Sequence, residues 1–214
     1  MIGKLAAKAF LGLQGWKPEG EIPPFDKCVM IAAPHTSNWD LPFTLYISYE
    51  MGIPVRWMGK KEIFRYGPWG WWMRHLGGLP VDRSKKNNLV QQCVEMFESH
   101  DKLVLLVPPE GTRKGGGDTW RSGFYHIAHA AKVPIVLGFL DYSRKRGGLG
   151  PAIMPTGDIA ADMERIRNFY SADMAKYPAL FRLPRLRDEV RPDASAEHGD
   201  GPGGRTDAVV QEGS

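Results

Sequence analysis

Short apolar runs alternate with longer periodic segments along most of this chain, and the two patterns predict different elements. The runs CVMIAA (28–33), PVRWMG (54–59), GGLPVD (77–82), KLVLLVP (102–108), PIVLGFLDY (134–142) and GPAIMP (150–155) read as strands. Segments 38–51, 67–76, 86–99, 121–132 and 158–176 carry helical patterns between them. That alternation predicts an α/β fold: a single domain with a mixed, largely parallel sheet flanked by helices on both faces. Ligand sites in such sheets gather at the carboxyl ends of strands. Two segments fall there, PHTSNWD directly after the first predicted strand and PPEGTR directly after the fourth. No internal repeat is visible.

The two ends of the chain differ from this body. MIGKLAAKAFLGLQGW sets Ile2, Leu5, Ala6, Ala9, Leu13 and Trp16 at helical spacing, with Lys4 and Lys8 elsewhere around the wheel. Residues 1–16 are therefore expected to form an amphipathic helix, which can either pack on the domain or lie on a membrane surface. Residues 184–214 hold no aromatic residue and much Gly, Pro and Asp, the composition of a disordered tail. The working domain is then residues 17–183. Its size suits one hydrophobic core.

Charge sharpens the picture. The tail holds four Arg against seven Asp plus Glu, so the chain's net +4 resolves into −3 there and +7 in the body. A basic body suits nucleic acid, anionic lipid headgroups or phosphorylated small molecules, and charge alone does not choose among them. The two cysteines, Cys28 and Cys93, lie in apolar runs without metal-type spacing and read as reduced core thiols, as in a cytosolic compartment. No run approaches the roughly 18 to 20 apolar residues of a spanning helix, and no signal-peptide cleavage pattern is evident, so membrane access is expected to be peripheral.

His35 and Asp40, five residues apart in PHTSNWD, allow two readings. An imidazole oriented by a carboxylate can take a proton from a hydroxyl near neutral pH. Alternatively, SNWD fits a capping box, with Ser37 as N-cap and Asp40 closing the helix N-terminus. No G-x-S-x-G elbow occurs and neither cysteine lies in an electropositive loop, so a nucleophile would have to come from a substrate. KEIFRYGPWGWWMRHLGGLPVDRS adds Lys61, Arg74 and Arg83 as possible phosphate ligands. PPEGTR adds Glu110, Gly111, Thr112 and Arg113. His126 and His129, at i and i+3, have no third ligand in view and read as structural. PWGWWM (68–73) suits either a membrane interface or packing against an acyl chain or the core.

Taken in order, these segments resemble the glycerolipid acyltransferase family that includes the 1-acylglycerol-3-phosphate acyltransferases. The family's His-x4-Asp block is matched by His35 and Asp40, and its second block by Lys61, Phe64, Pro68, Gly70, Gly77 and Arg83. Its Pro-Glu-Gly-Thr-Arg block stands unbroken at Pro109 to Arg113, and its valine-proline block opens at Val133. The match spans about residues 28–140. It departs at Pro34, where many members have Asn, and at Leu137 or Gly138, where a second proline is common.

The resemblance implies a glycerol-3-phosphate acyltransferase-like fold and a transfer of a fatty acyl group from an acyl-CoA or acyl-carrier-protein thioester to a lysolipid hydroxyl. His35 would be the general base and Asp40 its orienting partner. Lys61, Arg83, Glu110, Gly111, Thr112 and Arg113 would bind substrate, with the arginines on phosphate. The expected partners are the donor, a lysolipid acceptor and an anionic membrane surface at the inner face of the membrane, with no nucleic acid, no cofactor and no metal. Competing readings are a lysophospholipid or thioester hydrolase and a non-catalytic binder of anionic lipid or nucleic acid. The aromatic residues are too concentrated in one segment for an RNA-stacking platform.

Overall fold

The computed structural model describes residues 2–22, 24–81, 89–110 and 119–186. Its elements in chain order are α1 (Ile2–Gln14), β1 (Lys17–Glu19), β2 (Lys27–Ala33), α2 (Asp40–Met51), β3 (Val55–Lys60), α3 (Gly67–His75), β4 (Gly78–Val81), α4 (Leu89–Ser99), β5 (Leu103–Val107), α5 (Gly123–Ala131), β6 (Ile135–Asp141), β7 (Arg146–Ile153) and α6 (Ile159–Arg167). The strands form one sheet in the order β1-β7-β6-β2-β5-β3-β4. Among the described strands, only the β6–β7 pair is antiparallel. This is the mixed, largely parallel α/β sheet expected from the sequence.

β2 and β6 read as unbroken apolar runs because both faces of the central strands are covered. Val29, Ile31 and Ala33 of β2 join Leu105, Leu137 and Phe139 in a core shared with Cys93 and Phe97 of α4, Phe124 and Ile127 of α5, and Met163 and Ile166 of α6. The alternate residues Cys28 and Met30 point to the other face, with Leu106, Val136 and the partly buried Leu45 and Met51 of α2. The strand period of two thus sorts one sequence run into two cores.

Four boundaries differ from expectation, each for a physical reason. β1, with the sequence KPE, has no apolar signal; it forms because the Gly147 and Gly148 backbone of β7 lies open to pair with Pro18 and Glu19. β7 starts at Arg146 rather than residue 150, since a glycine-rich stretch that reads as a turn is held by antiparallel pairing with β6. α6 stops at Arg167 rather than 176 because Phe169 and Tyr170 turn inward, and the buried Tyr170 hydroxyl donates to Gly138 O at 2.9 Å. Residues 184–186, assigned to the tail, pack on the body: Leu186 is buried, Trp120 N donates to Arg185 O at 2.7 Å and Arg167 Nε to Pro184 O at 2.9 Å. Residues 187–214 lie outside the described residues.

α1 corrects the sequence in an informative way. Its docked side is Ala7, Phe10 and Leu11, continued by the buried Trp16, packing on Phe43 and Ile47 of α2 and on Leu140. Phe10 stacks on Tyr46 at 4.3 Å and Trp16 on Phe43 at 4.5 Å. Of the apolar positions picked out by the wheel, Trp16 is buried, whereas Leu5, Ala6, Ala9 and Leu13 face solvent, with Leu5 72% and Leu13 87% exposed. The helix therefore carries two apolar sides, one of them uncovered. No described helix is long and apolar enough to cross a membrane.

Candidate active site

The chain leaves β2 through a cis Ala33–Pro34 peptide. Proline has no amide hydrogen with which to extend the ladder, so the strand ends and His35 emerges at the carboxyl edge of the sheet. There His35 Nδ1 lies 3.1 Å from Asp40 Oδ2. The same Oδ2 accepts from Ser37 N at 2.8 Å, and Ser37 Oγ accepts from Trp39 N at 3.1 Å. Both sequence readings thus describe the same carboxylate. The expected capping box is only half formed: Asp40 takes the Ser37 amide, but α2 starts at Asp40 with Trp39 as its N-cap and no side-chain cap, and from that position the carboxylate meets the imidazole.

Asp40 is only 3% exposed, and a buried carboxylate needs its acceptor sites filled. The remaining oxygen, Oδ1, accepts from the Tyr142 hydroxyl at 2.8 Å. Tyr142 follows β6, which runs parallel to β2, so both strands deliver their ends to one edge. With Nδ1 paired to a carboxylate, the neutral imidazole carries its proton there. Nε2 then presents a lone pair; among the described residues no hydrogen bond engages it.

Glu110 stands on the segment after β5, next to β2 in the sheet, and its Oε1 accepts from the His35 backbone N at 2.8 Å. Burial pushes its carboxyl above the ordinary value; the His35 hydrogen bond and charge oppose this, and the Asp40 charge adds to it. Glu110 thus holds the backbone of the histidine. No contact shows it acting as a proton donor. The cysteines are free and buried, and burial pushes Cys28 up to about 12 and Cys93 to about 11, so neither offers a thiolate.

Lys61 begins a short 3₁₀ turn after β3. It lies on the same edge, two strands from His35 or roughly 10 Å at ordinary strand spacing, and points to solvent. Arg74 is occupied locally: it donates to Phe64 O at 3.1 Å and lies over the Phe64 ring at 5.3 Å. Arg83, Gly111, Thr112 and Arg113 lie outside the described residues. Much of the second sequence block proves architectural. Phe64 is buried against Gly78, where a Cβ would sit 2.7 Å from its ring, and Gly77 has φ +85°, a conformation suited to glycine. His126 and His129 are exposed, and the described residues contain no metal-binding cluster.

Behind His35 opens a cavity of about 1400 Å³ whose wall includes His35 and Asp40, then Thr44, Ser48 and Met51 of α2, with Met30, Leu106 and Leu149 opposite. It exceeds the roughly 300 to 1,000 Å³ common for small-molecule pockets, and its lining combines polar groups such as His35, Ser37 and Asp40 with apolar side chains such as Met30, Leu106 and Leu149. Arg121, which the sequence reading gave no role, also lines it, and its backbone N donates to Pro109 O at 2.8 Å. Tyr142 was likewise missed; its position at a strand's carboxyl end was the available signal.

Fold and site together define an α/β protein in which an imidazole meets a buried carboxylate at the carboxyl edge of a largely parallel sheet. The chain belongs to the acyltransferase family, whose model, described simply as Acyltransferase, matches residues 19–136. It is 27% identical over 117 residues to a 1-acyl-sn-glycerol-3-phosphate acyltransferase of Streptococcus pneumoniae (strain ATCC BAA-255 / R6), covering 54% of this chain and 42% of that protein. The chain thus spans about two fifths of that relative's length. Its fold is shared with the crystal structure of the 1-acyl-sn-glycerophosphate (LPA) acyltransferase PlsC from Thermotoga maritima, with a TM-score of 0.54, 15% identity, and coverage of 77% of this chain and 73% of that one.

The role of Glu110 can be read from stability. A raised carboxyl favours the protonated form, so its stabilising contribution is present below its unfolded value and is lost as pH rises through the folded value. Glu110→Gln keeps an acceptor for His35 N and removes the buried charge; its melting temperature should match wild type at about pH 4 and exceed it by a few degrees at about pH 8. Glu110→Ala strands the amide and should be the less stable variant at both pH values. Calorimetric scans at the two pH values check the order.

Proposed function

We propose that this protein transfers a fatty acyl group from an acyl-CoA or acyl-carrier-protein thioester to the hydroxyl of a lysolipid, 1-acylglycerol-3-phosphate or a related lysophospholipid. The observation that carries this reading is the His35 Nδ1 to Asp40 Oδ2 contact at 3.1 Å, in the wall of a large cavity lined by both polar and apolar residues. His35 Nε2 takes the acceptor's hydroxyl proton as the oxygen attacks the thioester carbonyl. Asp40 stabilises the imidazolium, which returns the proton to the departing thiolate as the tetrahedral intermediate collapses. The acceptor supplies the nucleophile, consistent with two protonated, buried cysteines. Arg83 and Arg113 are assigned to phosphate groups of acceptor or donor, with Lys61, Gly111 and Thr112 assisting, on the strength of the sequence blocks.

The working location we propose is an anionic membrane surface on the cytoplasmic side. The uncovered side of α1, with Leu5 and Leu13 beside the exposed Lys4 and Lys8, has the composition of an interfacial helix. Trp69, Trp71 and Trp72 of α3 are also solvent-facing, at 57%, 65% and 48% exposure.

His35→Ala should lower kcat by roughly 10² to 10⁴ while circular dichroism and melting temperature stay near wild type, since a general base contributes that much. Near-normal turnover would leave only the capping role of the segment. For the surface, Leu5→Ser with Leu13→Ser should weaken sedimentation with phosphatidylglycerol-containing vesicles by about tenfold or more, because burial of each leucine side chain contributes on the kcal scale. Turnover of short-chain, water-soluble substrates should remain within about twofold, as neither side chain touches the core. Parallel losses in both assays would assign this side of α1 to packing.

A further inference from the structure

Tyr142 is separated from Asp40 by 102 positions in sequence, yet its hydroxyl fills the one carboxylate oxygen that neither His35 nor Ser37 uses. The ring is held on several sides. Trp16 meets it edge-on at 4.9 Å, Phe43 at 6.0 Å, and the Lys176 ammonium lies 5.6 Å from its centroid. Its backbone N donates to Met174 O at 3.0 Å. A ring fixed this firmly leaves its hydroxyl little freedom except to point at Asp40.

We propose that Tyr142 is a positioning residue for the His35–Asp40 pair, locking the carboxylate's rotation and setting how strongly it supports a proton on His35. The inference rests on the reading of His35 as general base. A carboxylate rotates easily about its last bond, with a broad two-fold preference. A donor on Oδ1 fixes which oxygen faces the imidazole. A hydrogen bond to a carboxylate also favours its charged form and lowers its basicity. With the phenol removed, Asp40 is more basic, stabilises the imidazolium more, and keeps His35 protonated to higher pH. Less of the free base is then available.

The other titratable and charged groups around the pair are Glu110, on the His35 amide, and Lys176 with Tyr177 from the segment after α6. Tyr177 N donates to Thr36 Oγ1 at 3.3 Å, which brings that segment against the His35 loop. Burial, the Asp40 charge and the hydrogen bond to Asp40 all push the Tyr142 phenol well above its ordinary value. It therefore remains a donor throughout the neutral pH range.

The test uses the full chain with Tyr142→Phe, which keeps the ring and its packing, and with 3-fluorotyrosine at the same position, a more acidic phenol and stronger donor. The His35 imidazole is titrated by proton NMR, and kcat, both KM values and the melting temperature are measured alongside. For Tyr142→Phe the His35 midpoint should rise by about half a pH unit or more. Its kcat should fall by about tenfold, the weight of a hydrogen bond to a charged group. Both KM values should stay within about twofold. The fluorinated protein should move the midpoint the opposite way. An unchanged midpoint in both proteins would overturn the proposal, whether kcat is also unchanged or falls together with melting temperature. The midpoint is read without turnover, so it stands apart from the general-base reading, which activity in His35→Ala would sink.

Discussion

A carboxylate with almost no access to water must find hydrogen-bond donors in the protein, and Asp40 finds them on three separate pieces of the fold. Ser37 N comes from the turn that opens α2, His35 Nδ1 from the exit of β2, and the Tyr142 hydroxyl from the end of β6. The strands can supply two of these because β2 and β6 are neighbouring and parallel, ending at the same edge. The Ser37 turn, the imidazole's orientation and the reach of Tyr142 converge on one buried carboxylate, while apolar contacts of Phe43, Leu45, Ile47 and Met51 seat α2 itself. Glu110 extends the arrangement to β5 by holding the backbone of His35.

Local signals in the sequence carried the parts of this that are local. Apolar runs marked the central strands because both their faces are covered, and the His-x4-Asp spacing lies within one turn and a helix start. The alternation of elements was enough for the fold class. Tyr142 was not legible, since a partner separated by 102 positions leaves no periodic trace and a tyrosine closing a strand looks like any other. β1 and the first half of β7 were hidden for a related reason: they form through pairing, with Gly147 and Gly148 contributing backbone and no side chain. In α1 the wheel identified an apolar side correctly but could not say which of two the domain would claim. Ala7 and Leu11 won because α2 offers Phe43 and Ile47 at that contact.

The second sequence block shows how a family pattern can mark architecture as well as chemistry. Phe64, Gly70, Gly77 and Gly78 belong to a tightly built corner in which Phe64 lies against glycines, Arg74 bonds to Phe64 O and the Trp57 indole donates to Leu76 O at 2.8 Å. That corner fixes where β3 hands over to α3 and β4, and hence where Lys61 sits on the carboxyl edge. Its indoles on α3 remain outside, so the corner also sets what the protein shows to its surroundings.

In the proposed reaction the acceptor's own hydroxyl, relieved of its proton by His35, is the nucleophile. A single-turnover experiment with radiolabelled acyl thioester, quenched in acid and resolved into protein, free fatty acid and lipid, tests it most directly. Label should pass from donor to diacylated lipid only when lysolipid is present, with none retained on the protein at any time. Label bound covalently to the protein, or fatty acid released at an equal rate without lysolipid, would contradict it.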